Sequence, residues 1–171
     1  MDNQDNQLEQ NKREEPVSIL SRSLLTGFIG GLIGGFFGVV LYYFNFSEVA
    51  PRSYVFRSWL TADWIDTWLG TVLSILVIGV ISLGSALIYF MLFKKINTLW
   101  MGAVYGILLW VIVFYLLQPI FPNIPHVMDL KSDTIVSTIC LYILYGTFIG
   151  YSISYDYNET LNKMKNREEQ K

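Results

Sequence analysis

The chain has 171 residues, of which 53% are apolar and only 15% charged, with 13 glycines and a formal net charge of −2. An ordinary soluble domain carries about 25% charged residues. The deficit is also concentrated: Ser23–Ser47, Thr67–Phe93, Ile96–Met128 and Thr134–Tyr155 contain no Asp, Glu, Lys or Arg, which excludes solvated helix faces there, and the acidic balance offers no basic surface to nucleic acid.

Each window exceeds the roughly 20 helical residues that cross a hydrocarbon core of about 30 Å. The pattern predicts an all-α polytopic membrane protein with four transmembrane helices. Residues 1–15 read as a disordered polar tail, and 16–157 as the four-span domain. The spans are expected at about 24–46, 68–93, 99–121 and 135–155, followed by a charged tail over 158–171. The first apolar run is too long for the core of a cleaved signal peptide, so it is expected to remain as a span.

Taken in chain order, Pro16 suits the first turn of helix one. Val55, Phe56, Trp59 and Leu60 oppose Arg57, Ser58 and Thr61 in the next loop. That spacing predicts a short amphipathic helix over 55–62, lying on the outer surface. Asp63 (with Asp66), Asn97 and Asp133 are the expected N-caps of spans two, three and four. Trp110 falls mid-span, where its indole N–H needs a partner, and is expected to face the bundle. Pro119 should kink the end of span three.

Orientation follows from Lys and Arg in the flanks. With both termini inside, the inner segments hold nine: Lys12, Arg13, Arg22, Lys94, Lys95, Lys163, Lys165, Arg167 and Lys171. The outer loops then hold three, Arg52, Arg57 and Lys131. The asymmetry predicts both termini in the cytoplasm.

The sharpest motif is T-G-F-I-G-G-L-I-G-G-F-F-G over Thr26–Gly38. Gly27, Gly31 and Gly35 recur every four residues, as do Gly30, Gly34 and Gly38, so all six share one flat side of a helix. Gly102/Gly106 and Gly146/Gly150 repeat the spacing in spans three and four. Such faces let backbones approach closely, which replaces the hydrophobic drive missing in lipid. They are expected to pack helices within one bundle, with contact to a second copy or a partner membrane protein as the other reading.

Chemistry-bearing sets are scarce. A single histidine, His126, lies near Asp129 and supplies at most half of a zinc site. The single cysteine, Cys140, reads as a packed apolar residue. The spans contain no ionisable side chain of the kind that marks ion pathways. No catalytic group, metal or cofactor is therefore expected. The one expected charge cluster is Glu48 with Arg52 or Arg57 in the first outer loop. Arg52 is further expected to pair with Glu48 or an outer-loop aspartate, or to contact a lipid head group or partner, and Lys131→Ala is expected to do little.

The glycine-rich first span, the exit F-N-F-S-E-V-A-P-R, the turn F-K-K, the W-x-G-x-x-Y-G motif at Trp100–Gly106 and L-Y-G-T-F-I-G-Y-S-I-S-Y-D-Y near the end resemble the YqhR family of small bacterial membrane proteins. The resemblance implies four spans in a bacterial plasma membrane and brings no catalytic residues. The functional expectation is a non-enzymatic scaffold or accessory subunit embedded in the lipid bilayer. The alternative is a small transporter or channel subunit for a small uncharged solute.

Overall fold

The computed structural model describes residues 19–96, 98–121 and 124–169. The expected tail over 1–15 and the cap at Asn97 lie outside them. The described chain is all-helical, with α1 (Ile19–Tyr43), α2 (Trp68–Phe93), α3 (Leu99–Val111) and α4 (Ser132–Glu169) joined by turns and loops. Four stretches are long and apolar enough to cross a membrane: Ile19–Tyr43, Trp68–Phe93, Leu99–Leu116 and Ser132–Asn162. We call the end of the bundle holding the turn at Lys94 and Lys95 the turn end, and the opposite end the loop end.

Burial runs opposite to that of a soluble protein. The buried residues of α1 are Ser23, Gly27, Gly30, Gly31 and Gly35, and α2 buries mainly Gly, Ser and Ala together with Tyr89. Large apolar side chains such as Leu25, Phe36 and Trp100 face outward. Small residues inside bring the helices together, and large ones outside suit hydrocarbon.

Several boundaries differ from the sequence expectation. Span one ends at Tyr43 because Asn45 takes a left-handed backbone, φ 60°. Phe46 N–H then donates to Leu41 O at 2.9 Å and Asn45 N–H to Tyr42 O at 3.1 Å, the pairing that satisfies the last carbonyls of a helix. Span three leaves the α-conformation at Val111 and continues as a π turn, Ile112–Leu116, then a 3-10 turn, Gln118–Ile120. Pro119 accounts for both, since it has no N–H and its ring would strike the carbonyl four residues back in a continued α-helix.

The expected caps also change. Asp63 opens a 3-10 turn, Asp63–Asp66, whose N-cap is Ala62, and Thr67 is the N-cap of α2. The Thr67 hydroxyl donates backwards, to Trp64 O at 2.6 Å. Asp133 sits inside the first turn of α4 rather than at its cap, because the helix starts at Ser132. That helix runs on through 158–169, so most of the expected charged tail is helical. Lys94 lies over the Phe90 and Tyr157 rings, 4.4 and 5.3 Å from their centroids, and ties the extension to α2.

Helices α1 and α2 pack as one close pair and α3 and α4 as another, with α1 against α4 joining them. Two apolar clusters result. Ala86, Tyr89, Tyr105, Ile149 and Ile153 fill the turn end. Val49, Trp110, Phe114, Ile124 and Leu130 fill the loop end.

Candidate functional site

The glycines divide by what they face. On α1, a Cβ at Gly31 would lie 2.8 Å from Gly79 Cα, one at Gly27 3.1 Å from Ser82 O, and one at Gly35 3.4 Å from Ile75 Cα. This stripe is closed by α2. The second stripe faces α4 and the first loop: Gly30 meets Ile149 and Phe148, and Gly38 meets Pro51 Cγ at 3.1 Å. Gly34 is different, since a Cβ there would meet only Tyr145 Cδ2, at an ordinary 3.6 Å.

The α3–α4 seam is tighter still. A Cβ on Gly102 would lie 2.7 Å from Thr147 Cα, and one on Gly150 2.7 Å from Gly102 Cα. Gly106 abuts the Tyr142 carbonyl, and Gly146 abuts the backbone of Gly102 and Gly106. These four glycines permit backbone-to-backbone contact that any side chain would prevent.

Hydroxyl groups stitch the helices across these seams. The Ser82 hydroxyl donates to Gly27 O at 2.7 Å and accepts from the Tyr145 hydroxyl. Tyr105 donates to Ser85 O at 2.7 Å, with Ser85 Oγ also 3.0 Å from its hydroxyl. Trp110 does face the bundle: its Nε1–H donates to Thr138 Oγ1 at 3.0 Å, and that hydroxyl donates to Thr134 O at 2.7 Å. At the turn end, Ser154 donates to Ile96 O at 3.0 Å.

The outer charge cluster expected of Glu48, Arg52 and Arg57 separates into two. Glu48 pairs with Lys131 Nζ at 2.6 Å, and its second oxygen accepts from Lys131 N–H at 3.2 Å. Its own N–H donates to Thr134 Oγ1 at 3.0 Å. The first loop is thus clasped to the start of α4, where the helix dipole favours a carboxylate. The residue that pairs with Glu48 is thus Lys131, where Arg52 or Arg57 was expected. Arg57 takes Asp66 at 2.6 Å and Arg52 approaches the same carboxylate at 3.8 Å, with the Arg52 guanidinium over the Tyr42 ring. Lys131 holds the Glu48 carboxyl below its ordinary value, first through its side-chain hydrogen bond. Arg57 does the same to Asp66.

Between the clasps the chain forms a π turn, Ser53–Arg57, and no helix continues to Ala62. The expected amphipathic helix is thus a single turn. Val49, Ala50 and Pro51 are buried, and the loop closes over the bundle. Tyr54 packs edge-on against Phe114 and Phe121.

Beneath this loop is a cavity of about 230 Å³. Its wall includes Gly31, Gly34, Gly35 and Gly38 of α1, Ile78, Ile81, Ser82 and Ser85 of α2, Leu109, Val113 and Phe114 around the end of α3, and Thr138, Leu141, Tyr142 and Tyr145 of α4, with Tyr54 from the loop. The Tyr54 hydroxyl is shielded from solvent and has no hydrogen-bond partner among the described residues. Nothing local to a loop tyrosine signals a cavity built by four distant helices, and nothing local to Lys131 signals its pairing with Glu48, whereas Asp66 is an outer-loop aspartate of the kind expected to pair with Arg52. Among the described residues no three His, Cys, Asp or Glu side chains gather to hold a metal ion.

The chain matches the family model described as conserved membrane protein YqhR over residues 3–169. It is 46% identical over 164 residues to the Bacillus subtilis (strain 168) protein named "Uncharacterized protein YqhR", covering 96% of this chain and 91% of that one. No solved structure matches.

Proposed function

The chain belongs to the YqhR family of conserved membrane proteins, and on that premise we propose that it acts as a non-enzymatic accessory subunit. It is a bundle that holds itself together through glycine-rich faces in a bacterial plasma membrane, with both termini cytoplasmic. It offers its lateral surface to a partner membrane protein or a second copy. One observation carries the reading: the glycine faces and most span hydroxyls engage one another inside the bundle. Groups so engaged serve rigidity rather than proton or ion chemistry. The nine-to-three distribution of Lys and Arg supports the orientation.

The test is purification in mild detergent and in lipid nanodiscs. A stoichiometric membrane partner, or a stable homo-oligomer, supports the accessory role. The cavity favours a second reading, a small transporter or channel subunit for an uncharged solute. Flux of a neutral solute into vesicles holding this protein alone supports that reading and removes the first.

A further inference from the structure

The two helix pairs do not meet equally along their length. Near the turn end α2 and α3 are joined, with Tyr105 bonded to Ser85 and its ring 5.0 Å from that of Tyr89. Further toward the loop end they do not form a packed seam. There, Ile81 of α2 borders the cavity while its side chain remains largely exposed, and Leu109 and Val113 border it from the α3 side. The cavity therefore opens sideways, between α2 and α3, onto the surface where the apolar exterior of the bundle meets lipid.

Two further observations concern what it takes. A glycine usually stands in a helix face because a neighbour leaves no room, yet a Cβ on Gly34 has only ordinary contact. Here the missing side chain leaves space in the cavity and brings no helix closer. Tyr54 borders the same cavity, and its hydroxyl is buried without a partner among the described residues, a condition that disfavours the empty state. An apolar cavity of about 150 Å³ accommodates benzene, so 230 Å³ suits about nine non-hydrogen atoms on the same scale. The wall holds no charged side chain.

We propose that this cavity binds the aliphatic part of one uncharged amphiphile drawn from the bilayer between α2 and α3, with the Tyr54 hydroxyl donating to its single oxygen. The chemistry is that of a medium-chain alcohol or of the ester end of a lipid chain. The mostly apolar wall accepts methylenes, and the unpaired Tyr54 donor selects a molecule with an acceptor over a plain alkane. Ions are excluded for want of a countercharge.

The experiment uses the full chain in nanodiscs, irradiated with a diazirine-bearing octan-1-ol or with the matching diazirine octane, followed by peptide mapping. The alcohol should mark the segments over 49–54, 109–114 and 138–145. Competition by unlabelled octan-1-ol or by a neutral diacylglycerol distinguishes a free alcohol from a lipid ester as its natural counterpart. Gly34→Leu adds four carbons, roughly 100 Å³ on the benzene scale, and should lower the alcohol's labelling about tenfold. Should that variant fail to fold, Gly34→Ala, which has room, should give a smaller decrease in the same direction. Tyr54→Phe should reduce labelling by the alcohol about two- to tenfold, the range expected for one neutral hydrogen bond, and leave labelling by the alkane unchanged. Adducts confined to lipid-facing positions such as Leu25 and Leu116, or equal labelling by the alcohol in Tyr54→Phe and the parent, would overturn the proposal.

Discussion

At the scale of single residues, the hydroxyls that stitch the helices each serve a particular donor or acceptor. Thr138 illustrates this: it accepts from the Trp110 indole and donates to its own helix at Thr134 O. Thr138→Val keeps the shape but leaves the indole N–H unpaired among apolar neighbours, whereas Thr138→Ser keeps the hydroxyl. We expect the valine variant to lose about 1–2 kcal/mol and the serine variant well under half of that, read as thermal midpoints in one detergent. Equal midpoints would mean that Trp110 finds another acceptor. Gly31 and Gly34 make a second contrast, because identical residues three apart on one helix have different jobs. Gly31→Ala must displace the Ser82 side chain and the α2 backbone at Gly79, so it should destabilise by about 1–3 kcal/mol. Gly34→Ala should be tolerated.

At the scale of elements, the α3–α4 seam and the two clasps make separate predictions. Gly146 lies against the backbone of Gly102 and Gly106, where no side chain can swing aside, so Gly146→Ala should separate the pair. Detergent-resistant helix association of the α3–α4 half, measured by limited proteolysis, should fall more for Gly146→Ala than for Gly84→Ala, since Gly84 has nothing within 4 Å. The clasps respond to pH. Both carboxyls are held below their ordinary values of 4.5 for Glu48 and 3.8 for Asp66. Their stabilisation is thus fully present above those values and is lost as pH falls through the lowered ones. Amide exchange over 47–58, corrected for intrinsic rate, should accelerate in that acid window. Glu48→Gln should flatten the Glu48–Lys131 part of the response; an unchanged profile in that variant would remove the clasp from the account. Elements also show what the sequence could reveal. The absence of charge marked all four spans, and four-residue spacing marked the packing faces, because both signals are local. The partner of Glu48 lies 83 residues away, and three alternate glycines of α1 face α4 and the loop rather than α2, which only assembly decides. Asn45 is of a residue type that ends helices in the left-handed conformation, but apolar Phe44 and Phe46 flank it and extend the apolar run past the true end. The π turn before Pro119 follows from the proline, and within it Phe114 stacks on Trp110, 5.1 Å apart.

At the scale of the whole molecule, the open question is which end faces which compartment, and the fold itself makes the test clean. The first loop, the segment over 124–131 and the start of α4 all meet at one end, joined by the Glu48–Lys131 clasp, while Ile96, next to the turn at Lys94 and Lys95, lies at the other beside Ser154. Any one accessible position at the loop end therefore reports for both loops together. Met128 is 90% exposed and Ser132 is exposed at the head of α4, whereas Ser53 is half-buried and makes a poorer reporter. The background must be Cys140→Ser, because the native thiol is exposed on the side of α4. In that background, Met128→Cys and Ser132→Cys should react with an impermeant thiol reagent on intact cells. Thr98→Cys, at the exposed N-cap of α3, should react only after the membrane is opened. The expectation rests on the excess of Lys and Arg at the turn end and beyond it, since short basic flanks stay on the cytoplasmic side. Reaction at Thr98→Cys in intact cells, with Met128→Cys and Ser132→Cys protected, would invert the molecule. The Tyr54 end of the cavity would then lie in the cytoplasmic leaflet, and the amphiphile it takes would come from that leaflet instead of the outer one.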